Sequence, residues 1–266
     1  MKLAWLTDLH LDCVDRDEDV VAFCNQVAAT GADAVLIGGD VALATTIERS
    51  LTLIESALER PIYFVLGNHD FYGGSIAGVR DAVRALSRRS RWLRWLPDAG
   101  CVPLGDRTGL VGHDSYADGR LGHGARSELM LNDFFCIEDF QGKTPSEWYE
   151  RLAALGDEAA AYFRETLPTA LDRYEHVVVL THVPPFREAC WHLGRISDDE
   201  GLPLFACKAV GEALVEVMQR RPDRRATVLC GHTHSPGVAQ ILPTLEVRTG
   251  HARYGAPCIQ DVIEVD

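Results

Sequence analysis

An α/β fold, with parallel strands first and antiparallel strands last, is predicted by three features of the sequence. Short apolar runs alternate with stretches of helical periodicity through the first third. Several of those runs end directly in Gly, Asp, Asn or His. The C-terminal stretch carries three short apolar runs with no helical pattern between them. Lys2–Thr7 reads as a strand, and Asp17–Ala29 as a helix with Val20, Phe23, Cys24 and Val27 on one face. Ala34–Ile37 is a buried strand ending in Gly38-Gly39-Asp40. Thr46–Glu59 repeats the helical spacing at Ile47, Leu51, Ile54 and Leu58, and Pro61–Leu66 is the next strand. This β-α-β-α-β order implies a parallel sheet with right-handed crossovers, whose strands deliver polar residues from their carboxyl ends into one crevice. Ser75–Ser87 is helical in pattern, and Arg88–Trp95 reads as a solvated basic face above buried tryptophans. Gly109–Gly112 reads as a strand, Asp114–Thr144 as loop and Glu147–Leu171 as helix. His176–Leu180 and Ala226–Cys230 are strands flanking a loop at Pro184–Pro203 and a helix at Ala206–Gln219. Val238–Leu242, Leu245–Thr249 and Ile259–Val265 supply the antiparallel ending.

The chain has 266 residues, 26 Lys+Arg against 39 Asp+Glu and a net charge of −13. That balance gives no global basic field, which argues against nucleic acid as a partner. No apolar run approaches the roughly 18 residues that span a bilayer, so no membrane partner is expected. Met1–Thr7 is too short for a signal-peptide core, and eight cysteines are scattered singly with no C-x-x-C pair. Free thiols and a cytoplasmic location are the expectation. With no repeat, linker or low-complexity tract, residues 1–266 read as a single domain. Its irregular segments around 113–144 and 184–205 are expected to shape the substrate site.

The strand ends carry the chemistry. Asp8 and His10 follow the first strand, Asp40 the second, Asn68-His69-Asp70 the third, His182 the fourth, and His232-Thr233-His234 the fifth. A single histidine after a strand is usually a loop residue. Two Asp, one Asn and four His from five strand ends are together a donor set for divalent metal, and the lack of cysteine argues against structural zinc.

The ordered pattern D-x-H, G-D, G-N-H-[DE], H and G-H-x-H resembles that of the calcineurin-like metallophosphoesterase superfamily. It is matched from Asp8 to His234. The resemblance implies two facing mixed β-sheets flanked by helices, a metallophosphoesterase-like β-sandwich. It also implies two divalent ions, of Mn, Fe, Zn or Ni, with Mn favoured. Asp8, His10, Asp40 and His234 would hold one ion; Asp40, Asn68, His182 and His232 would hold the other. His69 would reach the substrate and Asp70 would orient it. Such ions would neutralise phosphoryl oxygens and acidify an attacking water, with His69 assisting the leaving group.

Flanking residues narrow the choice. Protein Ser/Thr phosphatases of the superfamily carry G-D-x-V-D-R-G and G-N-H-E, whereas this chain reads Gly39-Asp40-Val41-Ala42-Leu43-Ala44 and Gly67-Asn68-His69-Asp70. A metal-dependent phosphoric ester hydrolase, a phosphodiesterase or phosphatase acting on a small phosphorylated molecule or nucleotide, is the expectation. A non-catalytic scaffold of the same fold and a nuclease are the alternatives. Metallo-β-lactamase-type hydrolases are excluded, because the chain continues Ser235-Pro236 after His234 and the Asp-His of their H-x-H-x-D-H motif is missing. Arg187, Arg195 and His113 are candidate substrate contacts on the irregular segments.

Overall fold

A computed structural model describes residues 1–266. In chain order, β1 (Lys2–Leu6), α1 (Asp17–Ala29), β2 (Ala34–Gly38), α2 (Ile47–Leu58), β3 (Ile62–Val65), α3 (Ile76–Arg89) and β4 (Leu93–Trp95) form the first sheet and its helices. There follow α4 (Leu96–Ala99), β5 (Val102–Pro103), β6 (Thr108–His113), α5 (Asp133–Cys136), the long α6 (Pro145–Arg173) and β7 (His176–Thr181). A small hairpin, β8 (Trp191–His192) and β9 (Arg195–Ile196), precedes α7 (Leu202–Phe205) and α8 (Lys208–Gln219). The chain ends with β10 (Arg225–Cys230), β11 (Gly237–Leu242), β12 (Leu245–Thr249) and β13 (Asp261–Glu264).

Two mixed sheets result. One has the order β13-β1-β2-β3-β4, the other β11-β12-β10-β7-β6-β5. In the first, β1 to β4 are parallel and β13 runs antiparallel beside β1. In the second, β6, β7, β10 and β12 are parallel, with antiparallel β5 and β11 at the edges. Period-two alternation assigns each strand's two faces to different layers. Leu3 and Trp5 of β1 meet Val178 and Leu180 of β7 between the sheets, while Ala4 and Leu6 face the α1–α3 side. Val177 and Val179 face α6 and α8. The apolar stripe of α2 is buried at Ile47, Leu51, Ile54 and Leu58, each contributing about 1.5–3 kcal/mol. A capping box between Thr144 and Glu147 starts α6, where Pro145 needs no intrahelical N–H partner.

The expected sandwich of two mixed sheets with flanking helices is therefore the observed fold. Segment 113–144 is irregular as read, apart from short helical turns such as α5, and the loop 184–203 additionally contains the β8–β9 hairpin. Arg88–Trp95 holds β4, whose Trp95 is buried. No helix is long and apolar enough to cross a membrane.

Candidate metal centre

The carboxyl ends of β1, β2, β3, β7 and β10 point to one side of the sandwich, and the loops that follow are stitched to one another. Asp8 N, His10 N and Leu11 N donate to the carbonyls of Gly39, Asp40 and Val41 at 3.0, 2.9 and 2.9 Å. Asp8, His10, Asp40, His232 and His234 adopt positive φ of 51, 44, 51, 69 and 57°, a left-handed conformation that non-glycine residues take only where surrounding structure enforces it. Glycine is required beside them for another reason. A Cβ on Gly67 would lie 2.2 Å from Asp40 Oδ1, and one on Gly231 would lie 1.9 Å from Asp8 Oδ2.

These loops gather the donors into two adjoining groups. Ligand atoms of Asp8, His10, Asp40 and His234 lie within 4.8 Å of one another. His10 Nε2 is 3.1 Å from His234 Nε2 and 3.8 Å from Asp40 Oδ2, while His234 Nε2 is 3.5 Å from Asp8 Oδ1. In the second group, Asn68 Oδ1 is 3.1 Å from His182 Nε2 and 3.0 Å from His232 Nδ1, and His182 Nε2 is 3.4 Å from Asp40 Oδ1. Asp40 thus faces both groups.

The second group tests whether a cation fits. His182 Nδ1 donates to the Gly38 carbonyl at 2.8 Å, and His232 Nε2 lies 3.1 Å from the Leu204 carbonyl. With those protons so engaged, neutral rings turn lone pairs toward the oxygens of Asn68 and Asp40. Acceptors then face acceptors, an arrangement that positive charge must reconcile. Burial alone would raise Asp8 and Asp40. The hydrogen bond from His234 to Asp8, and the charges of His182 and His69 near Asp40, nevertheless hold both below the usual carboxylate range. Burial opposes a second proton on His182, yet Asp40 and Asp8 push that ring up to about 10, so a proton on Nε2 is one form in which these oxygens draw positive charge. Burial and the charge of His182 push His232 down to about 4. The pocket therefore draws in cations, and its O/N donor set suits hard to borderline divalent metals.

Above these groups lies a cavity of about 230 Å³ with His69, Tyr72, Asp133, Phe205 and Tyr254 in its wall. No Arg or Lys lines it. His69 donates its backbone N–H to Asp40 Oδ1 at 2.9 Å, and its ring stacks on Tyr72 with centroids 4.3 Å apart. Segment 113–144 contributes Leu131, Asn132 and Asp133 to the wall; segment 184–205 contributes His192 and Phe205.

Four expectations need correction. Asp70 does not contact the His69 ring. Its carboxylate accepts from Val41 N, Ala42 N and Gly67 N at 2.8, 2.9 and 2.8 Å, clamping the Asp40 loop to the Asn68 loop. Arg187 pairs with Asp199 at 2.5 Å and lies in a separate groove beside Lys208 and Glu212. Arg195 is exposed on β9 and does not line the cavity. His113 is buried against Tyr162, 5.0 Å between centroids, with Nδ1 taking the N–H of Ser115. Its neighbour Asp114 was the informative residue, accepting from Leu66 N at 2.8 Å and Trp95 Nε1 at 2.9 Å and so fixing the end of β3. The sequence pattern also left out Asp133; Tyr254, which lies soon after the last motif, is in the wall too, its ring centroid 4.5 Å from that of His10. Neither belongs to a spaced motif.

The calcineurin-like phosphoesterase model matches residues 1–236. Among solved structures, the chain is similar to a phosphopantetheinyl hydrolase from Mycobacterium tuberculosis, with a TM-score of 0.65 and 16% identity over 96% of this chain and 90% of that one. A dimetal phosphatase from Danio rerio gives 0.60 and 13% over 97% and 89%. A Thermus thermophilus protein, TT1561, gives 0.51 and 13% over 94% and 88%. At these identities the likeness establishes the fold. No curated protein matches the chain by sequence. The chain belongs to the calcineurin-like phosphoesterase family and is a metal-dependent phosphoric ester hydrolase.

Proposed function

We propose that this phosphoesterase hydrolyses a small phosphorylated molecule, a phosphodiester or phosphomonoester, at a two-ion centre. Asp8, His10, Asp40 and His234 hold one ion in this reading, Asp40, Asn68, His182 and His232 hold the other, and Mn²⁺ is the favoured metal. The observation that carries it is the meeting of seven donors from five strand ends, with ring nitrogens and side-chain oxygens facing one another at 3.0–3.5 Å. Two such ions supply charge stabilisation for phosphoryl oxygens and an acidified water nucleophile.

The chain's own residues do the rest. Asp40 spans both groups, Oδ1 toward His182 and Oδ2 toward His10, and so sets their spacing. His69, in the cavity wall, donates a proton or hydrogen bond to the leaving oxygen. Tyr72 holds the His69 ring by stacking, and Asp70 holds the backbone on either side. The small cavity supports a small substrate. A wall without Arg or Lys favours an ester with one phosphoryl group over a polyphosphate, whose further charges would meet no cationic side chain. The apolar layer shared by both sheets supports a single domain over residues 1–266.

The deciding experiment compares kcat/KM in Mn²⁺ for p-nitrophenyl phosphate and bis(p-nitrophenyl) phosphate, with Asp40→Ala as the control for contaminating activity. Turnover of either ester that disappears in Asp40→Ala supports the reading, and the preferred ester assigns the subclass. Activity equal in wild type and Asp40→Ala overturns it.

A further inference from the structure

The irregular segment 113–144 brings one carboxylate to the cavity, and it is only 3% exposed. Asp133 Oδ1 accepts from Asn68 Nδ2 at 2.9 Å and from the Tyr72 hydroxyl at 2.5 Å; Oδ2 accepts from the Tyr116 hydroxyl. Burial, and then the charge of Asp133, pushes both phenols well above their ordinary range, so both remain O–H donors. A buried carboxyl group whose two oxygens accept from three donors has its hydrogen-bonding capacity engaged.

Its placement is rigid. Gly73 N donates to the Cys136 carbonyl at 2.8 Å, Glu138 N to the Gly74 carbonyl at 3.0 Å, and Ile76 N to Asp139 Oδ2 at 2.8 Å. Phe134, Ile137 and Phe140 are buried in the same core as Phe71. The segment is thus tied to the stretch that follows Gly67-Asn68-His69-Asp70.

Asn68 is the one amide among the candidate ligands, and its use depends on which way round its end group sits. A carboxylate offers the same atoms after a half turn. An amide turned over presents an NH₂ where a lone pair is required. Asp133 can only accept, so it holds Nδ2 on its own side and leaves Oδ1 facing His182 and His232. We propose that Asp133 is a positioning residue that locks the Asn68 amide with its oxygen toward the second ion. The same carboxylate holds Tyr72, whose ring backs His69, so one residue from segment 113–144 reaches both the second-ion group and the proposed proton donor. The inference rests on the two-ion reading of the site.

The test is a double-mutant cycle read by metal binding. Mn²⁺ stoichiometry and affinity are measured for the full-length protein, with the coupled-pair and mononuclear Mn²⁺ spectra distinguished by electron paramagnetic resonance. Asp133→Asn should weaken one of two ions about 10–100-fold, replacing the coupled spectrum by a mononuclear one. In the Asn68→Asp background no amide needs orienting and two carboxylates would face each other. There Asp133→Asn should leave the second ion unchanged or tighter. An equal loss on both backgrounds is what a merely structural role gives, and it overturns the proposal, as does no loss in Asp133→Asn. If Asp133→Asn alone does not fold, the double variant decides: two ions support the proposal and one ion overturns it. A wild type that binds fewer than two ions overturns the two-ion reading itself, a result distinct from either.

Discussion

Both ends of the sheet sandwich open into polar clefts, and the larger one is the end without the metal donors. From the N-terminal ends of β6, β7 and β10 a cleft of about 430 Å³ runs along β12, lined by Arg107, Glu175, Arg225 and Arg248 among others. There opposite groups meet. Arg107 pairs with Glu175, Arg248 with Glu246 at 2.7 Å and Asp261 at 3.4 Å, and His176 with the Thr227 hydroxyl at 2.9 Å. At the carboxyl ends, ring nitrogens and carboxylate or amide oxygens crowd together with no Arg or Lys among them, and five non-glycine donors sit at positive φ. None of the residues lining the far cleft does. Volume and charge are common to both ends. Polarity that the chain leaves uncompensated, on backbone held in a costly conformation, belongs to one of them.

Substitutions at the two ends break or sharpen this contrast. Asp40→Ala removes the residue that faces both donor groups. Bound Mn²⁺ should fall and kcat/KM should drop about 10³-fold or more, measured by elemental analysis alongside turnover. His69→Ala should keep the metal content and lose about 10²–10⁴-fold in kcat on an ester with a poor leaving group, with a smaller loss on a p-nitrophenyl ester. Equal losses on both esters would remove His69 from the proton-donor role. Gly67→Ala places a methyl 2.2 Å from Asp40 Oδ1. It should cost about 1–3 kcal/mol in urea unfolding and shift the Mn²⁺ titration. Arg248→Ala, in the wall of the other cleft, removes partly exposed ion pairs. It should change stability by no more than about 1 kcal/mol and leave kcat/KM within about twofold of wild type. A large loss of activity there would dissolve the distinction between the ends.

The strand-end donors were legible because a parallel sheet turns position in sequence into position in space. Every parallel strand that ended in Asp, Asn or His ended on the same side. His182 stands alone in the sequence and gained meaning only from that rule. Asp133 had no such frame: it is one of four aspartates between Asp114 and Thr144, a stretch with neither helical nor strand periodicity. What distinguishes it from Asp139, which accepts from Ile76 N and Arg151, is tertiary contact alone. Asp70 was recognised as important and given the wrong partner, since three backbone N–H groups outcompete a ring that faces the cavity. Arg187 and Arg195 failed for the opposite reason. An arginine on an irregular segment is drawn to the nearest carboxylate or to water, and Arg187 found Asp199. The left-handed donors were not legible at all, because positive φ at Asp or His leaves no mark on composition.

The ring nitrogens of His10 and His234 meet across 224 positions of sequence. At roughly 5–20 residues per second, the second emerges from the ribosome roughly 10–45 s after the first. For that interval the growing chain holds Asp8 and Asp40 without the imidazoles that answer them from β10. No early fragment can assemble the centre, so a chain that stops short of His234 is an inactive one, and the first turnover event reports that synthesis has passed that residue.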